Sequence, residues 1–93
     1  MKKLTTLLAL SLTSSFAFAG ADCPEAEPDT WLSKLDMQKK IVNDYGFSIK
    51  RFLIDGNCYE IYGWETDSES KEEKRIEVYF NPVNGDIVKK KSK

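Results

Sequence analysis

Two hydrophobic periods divide the chain. After Leu32 apolar residues recur at helical spacing: Met37, Ile41 and Tyr45 fall every four residues with Val42 alongside. One stripe of a helix over residues 34–45 is therefore predicted to face a core. Ser33 stands where an N-cap belongs, Asp36 makes a variant capping box with it, and Leu32 and Met37 occupy staple positions. Gly46 supplies a left-handed stop, and Phe47 folds back onto the last turn.

From Phe47 onward the period is two. FSIKRFLI (47–54) reads as a first strand, DGN (55–57) as a tight turn, and CYEIYGWE (58–65) as a second strand. TDSESKEEK (66–74) is highly charged without an apolar residue, so it is an exposed hairpin loop. It lacks the D-x-D-x-D-G order and closing Glu of a calcium loop, and no metal site is expected. RIEVYFN (75–81) is a third strand, which PVNG turns into a short fourth, DIVK (86–89). The expected fold is α+β: one amphipathic helix on a 3–4-stranded antiparallel meander.

Parity assigns the faces. Ile76, Val78 and Phe80 share one side of the third strand and meet the helix, which covers one face of so small a sheet. Tyr59 and Ile61 join them from the second strand. Cys58, Glu60, Tyr62 and Trp64 then share the far face with Glu77 and Tyr79. In the first strand Phe47 and Ile49 have one parity and Phe52 and Ile54 the other, which a bulge near Lys50-Arg51 reconciles.

The beginning of the chain adds a compartment. MKKLTTLLALSLTSSFAFAG has a basic start, a short apolar stretch and a small-x-small site at Ala17-Phe18-Ala19, the layout of a secretory signal peptide. Cleavage after Ala19 leaves residues 20–93, 74 of the 93. Asp22 before Cys23 argues against a lipoprotein, and nothing after residue 20 approaches membrane-span length. The division expected is a signal peptide over 1–19, an extended acidic and Pro-rich arm over 20–30, and a domain over 31–93 ending in a short, solvated basic tail, KKKSK. The protein is placed in the periplasm or outside the cell.

In an oxidising compartment the two cysteines, Cys23 and Cys58, make one complete bridge tying the arm to the second strand. Closing a loop of about 36 residues stabilises by roughly 3–4 kcal/mol in the chain-entropy model. The competing reading, a redox or metal pair, has neither CxxC spacing nor a histidine in its favour. On the far face the arm would shelter part of the Tyr62, Trp64 and Tyr79 surface.

Charge and inventory mainly exclude. Loss of Lys2 and Lys3 takes the basic count from 14 to 12 against 15 acids, a net charge of −3, which argues against nucleic acid as a partner. Without histidine, and with its cysteines bridged, the chain lacks the usual bases and nucleophiles, so no enzyme and no cofactor are expected. Glu60 and Glu77 facing one another on adjacent strands would raise one pKa, but Lys50, Arg51 or Arg75 is expected to neutralise them in a solvated ladder. The candidate contact surface is the far-face patch Glu60, Tyr62, Trp64, Glu77 and Tyr79, set against a plainer role for these rings, packing under the arm and Trp31.

WLSKLDMQKKI, YGFSIK, DGNCYEIYG and RIEVYFNPVNGDIV together resemble a PepSY domain of the small exported bacterial type, over roughly residues 31–88. Members usually carry D-P-x-T-G at the last turn. Here the signature is Asn81, Pro82, Asn84 and Gly85, and both Asn side chains can still make the bonds of a turn. A role requiring an ionised carboxylate at position 81 does not carry over. The resemblance implies inhibition or modulation of a peptidase by binding, and it brings no catalytic constellation. The resulting expectation is a non-enzymatic exported protein, monomer or weak dimer, that binds a secreted or envelope protein, a peptidase being the favoured target. The alternative is a periplasmic small-ligand or sensor module using a cleft between arm and sheet.

Overall fold

Ser33 sets the start of the helix. In the computed structural model, which describes residues 20–93, its hydroxyl accepts the Asp36 N–H at 3.0 Å and an α-helix, α1, runs Lys34–Lys40. The expected signal peptide, residues 1–19, lies outside the described residues. The helical path continues as a π-helical turn, Ile41–Tyr45, and ends at Gly46, whose φ of 74° is the left-handed stop. The span read from periodicity is thus observed, with a wider last turn. Met37 and Ile41 are fully buried and Tyr45 half-buried, but Val42 is 48 % exposed. A single helix lying on a sheet buries only a narrow stripe, and Val42 falls outside it.

Four strands form one antiparallel meander in the order β1-β2-β3-β4: β1 is Ser48–Asp55, β2 Cys58–Thr66, β3 Glu73–Phe80 and β4 Ile87–Ser92. The register of β1 against β2 slips between Ile49 and Arg51, where the bulge was expected, so Ile49 opposite Gly63 and Phe52 opposite Ile61 both reach the helix side. Gly63 is there for space: a Cβ at this position would run into the Ser48 carbonyl oxygen. Met37, Ile41, Phe47, Tyr59, Ile61, Ile76, Val78 and Phe80 make the core, with Trp31, Leu32, Tyr45, Ile49 and Phe52 packed around it. Burial at eight such positions is the main force holding helix to sheet.

The Asn81–Asp86 turn links sheet and helix. Asn81 Oδ1 accepts from Val83 N at 3.0 Å and Asn84 Oδ1 from Asp86 N at 2.9 Å, while Gly85 adopts φ 81°. The turn then accepts two bonds from elsewhere in the fold: the Tyr45 hydroxyl donates to Gly85 O at 2.8 Å, and Leu32 N donates to Pro82 O at 2.8 Å. The hairpin with the clearest pattern in the sequence is therefore the one that fastens both ends of the helical segment.

One boundary differs in kind. KKKSK is not a solvated tail, because β4 continues to Ser92 along β3, with Lys90 opposite Val78 and Lys91 opposite Glu77. Lysine tolerates this edge by lying its stem on apolar surface while its ammonium finds an acid. Lys90 Nζ sits 5.5 Å from the Phe47 ring centre and 2.5 Å from Glu65 Oε1.

The arm is joined to β2 by the Cys23–Cys58 disulfide, with a Cα–Cα distance of 5.4 Å. Ala21 and Cys23 pack on Tyr79 of the far face. A 3-10 turn at Pro28–Thr30 then leads to Trp31, whose indole N–H donates to Ala26 O at 3.2 Å and whose ring meets Tyr59 edge-on at 5.3 Å. The segment thus passes from one face of the sheet to the other.

Candidate functional site

Register builds the far face row by row. Glu60 lies opposite Tyr79, Tyr62 opposite Glu77, and Trp64 opposite Arg75; on the other side of β2, Arg51 lies opposite Tyr62. The five residues singled out from parity do share this face, but they do not form one open patch. Glu60, Glu77 and Tyr79 are 3 %, 5 % and 2 % exposed, whereas Tyr62 and Trp64 remain half-buried. Along one half of the face, therefore, the plainer role, rings packed under the arm, describes what is seen. The arm covers Tyr79 but is not seen packed on Tyr62 or Trp64.

The buried half is a carboxyl cluster. Glu60 and Glu77 stand diagonally rather than directly opposite, within hydrogen-bonding reach of each other. The Tyr79 hydroxyl donates to Glu77 Oε2 at 2.8 Å. The cations that answer Glu77 come from β4 and the residue after it: Lys93 Nζ at 3.2 Å and Lys91 Nζ at 3.8 Å from Oε1. This corrects the expectation that Lys50, Arg51 or Arg75 would do so. Glu60 Oε2 is buried without a donor among the described residues. A proton on that carboxyl makes it a donor itself, with the Glu77 carboxylate as acceptor. Accordingly, burial, reinforced by the neighbouring Glu77, pushes the Glu60 carboxyl up to about 7. Its hydrogen bond with Glu60, then those with Tyr79 and Lys93, hold Glu77 well below the usual carboxylate range, at about 2. Burial raises the Tyr79 hydroxyl further above its ordinary range.

The open half is different in sign. Beyond the carboxyl cluster a cleft of about 250 Å³ is lined by Lys50, Arg51, Tyr62, Trp64, Arg75 and Lys93, with Gly63 and Ile76 at its floor. Arg51 Cζ lies 5.5 Å and Lys93 Nζ 5.8 Å from the centre of the Tyr62 ring, so the ring is flanked by two cations. Tyr62 and Trp64 were found from the sequence; the basic rim was not. The signal was present in the register, since a bulge at Lys50 places Arg51 beside Tyr62 and the pairing of β2 with β3 across the charged loop places Arg75 beside Trp64. A second depression, between arm and β1–β2 turn, is lined by Glu25, Ala26, Glu27 and Asn57. No group of three or more metal-binding side chains occurs among the described residues.

The chain matches the family model described as peptidase propeptide and YPEB domain over residues 3–91. It belongs to the PepSY family. PepSY domains are propeptide-like or inhibitor-like modules, generally non-catalytic, and occur typically in exported proteins. No curated protein and no solved structure gives a significant match. Among the described residues no helix is long and apolar enough to cross a membrane. In this PepSY chain the turn signature at Asn81, Pro82, Asn84 and Gly85 serves the fold, through the bonds given above.

Proposed function

We propose that this PepSY protein is exported, acts without catalysis, and binds a secreted or envelope protein so as to modulate it, with a peptidase as the favoured target. The family supports a propeptide-like or inhibitor-like role. The observation that carries the proposal is the cleft around Tyr62 and Trp64, the part of the far face that neither the helix nor the arm closes. Half-buried aromatic rings with a charged surround are the composition of an interface anchor. The basic start, short apolar stretch and small-x-small site read in residues 1–19 support export to the periplasm or outside the cell, where peptidases meet such modules.

The test is titration of the purified protein into the exported peptidases of its own cell, with a parallel pull-down from envelope extract. Saturable inhibition or capture is expected, weakened about tenfold or more by Tyr62→Ala/Trp64→Ala. Equal recovery of every partner by wild type and double variant would remove this surface from consideration. The sensor alternative places its ligand between arm and sheet, where the arm packs on the cluster of Cys23, Cys58 and Tyr79 and leaves the depression lined by Glu25, Ala26, Glu27 and Asn57. A thermal-shift screen with metabolites and metal ions separates the two readings, because a ligand-dependent rise in Tm without a protein partner belongs to the sensor.

A further inference from the structure

The charges around the open cleft are unevenly distributed. The protein carries more acids than bases, yet four cations converge on one concavity: Lys50 and Arg51 from β1, Arg75 from β3 and Lys93 following β4. Among the described residues Lys50, Arg51 and Arg75 make no ion pair, and all three are exposed. Lys93 is committed to Glu77. Two guanidinium groups without an ion-pair partner among the described residues thus flank the Tyr62–Trp64 pair, that of Arg51 against the Tyr62 ring, held by rows of one sheet rather than by a loop.

We infer that this cleft binds an extended acidic peptide, seating a carboxylate between Arg51 and Arg75 with the adjoining residue on the Tyr62 and Trp64 rings. The inference rests on the binding role proposed above and names the chemistry of what is bound. Charge complementarity is its first support: planar guanidinium groups recognise carboxylates through paired hydrogen bonds. Size is the second, since about 250 Å³ admits one or two side chains rather than a folded surface. Access is the third. β1 is an edge strand whose outer side pairs with no strand among the described residues, and Lys50 at its bulge has no partner on β2, so a peptide can lie along this edge and turn one acidic side chain inward. A lipid surface would bring many anions to a broad plane, whereas these cations line a concavity. The carboxylate can come from an Asp or Glu side chain or from a C-terminus; both offer the same two oxygens.

The experiment follows backbone amides and the two indole N–H signals by NMR, using protein purified after export with its disulfide formed. The probes are an amide-capped peptide with internal Glu residues, its Gln counterpart, a neutral peptide with a free C-terminus, inorganic phosphate, and phosphatidylglycerol vesicles. Saturable shifts at Trp64, Tyr62 and the Lys50 bulge are expected with the Glu peptide or the free C-terminus, and not with the Gln peptide. Arg51→Gln/Arg75→Gln should weaken that binding about tenfold or more while leaving Tm nearly unchanged, because both side chains are exposed. Equal affinity for phosphate, binding to vesicles alone, an unaffected double variant, or no response to either carboxylate source each overturns the inference. Failure of the broader function reads differently: peptides that bind while no exported peptidase is modulated sink that proposal alone. Modulation retained in full by Arg51→Gln/Arg75→Gln sinks this one alone.

Discussion

Glu60 shows how one side chain converts packing into a measurable property. Its carboxyl is buried beside Glu77, and its pKa is raised from 4.5 to about 7. An acid whose folded pKa is raised takes up protons on folding, so the folded state loses ground as pH rises from about 4.5 to about 7. Glu77 acts with the opposite sign in a lower window, adding stability as pH climbs from about 2 to 4.5. Stability should therefore peak near pH 5 and fall toward pH 8. At about 1.4 kcal/mol per pKa unit the decline is on the order of 2 kcal/mol. The chain has no histidine to titrate in the same window. Glu60→Gln keeps a donor toward Glu77 and abolishes the titration, so urea unfolding of this variant should give nearly equal stabilities at pH 5 and pH 8. A slope unchanged by the substitution would place its origin elsewhere.

At the scale of elements, β4 separates two accounts of the same lysines. Deleting residues 90–93 removes the pairings of Ile76, Glu77 and Val78 with β4, the bond from Lys93 N to Arg75 O, and both cations facing Glu77. Leaving a buried carboxylate without counter-ions should cost roughly 2 kcal/mol or more in urea unfolding, whereas trimming a solvated tail would stay within about 0.5 kcal/mol. The contrast marks where the sequence is readable. The helix start at Ser33, its stop at Gly46, the bulge before Arg51 and the Asn-rich turn all act locally, through caps, parity and turn chemistry, so they could be placed from residues alone. A lysine run gives no such signal, because strand formation there depends on Phe47, Glu65 and Glu77, which are remote in sequence. The same limit applied to the site. Parity put Glu60, Tyr62, Trp64, Glu77 and Tyr79 on one face, but only the path of the arm decides which of them are shut away from water.

For the molecule as a whole, the disulfide joins these effects. Ala21 and Cys23 cluster with Cys58 and Tyr79, Tyr79 is bonded to Glu77, and Glu77 adds to the burial that raises the Glu60 carboxyl. Releasing the arm should therefore act twice. Removing the Cys23–Cys58 link frees a loop closed across a sequence separation of 35 and should cost about 3–4 kcal/mol in the chain-entropy model. It should also admit water beside Tyr79 and so relax the burial that keeps Glu60 protonated. Cys23→Ala/Cys58→Ala is then expected to unfold at lower urea at every pH and to lose much of the decline between pH 5 and pH 8. The two effects are separable in one experiment, since the first shifts the whole stability profile and the second changes its slope. A uniform shift with the slope intact would mean that the sheet itself, not the arm, keeps Glu60 dry. The open cleft lies on the other half of the same face, so binding there should survive the double substitution wherever the variant is folded.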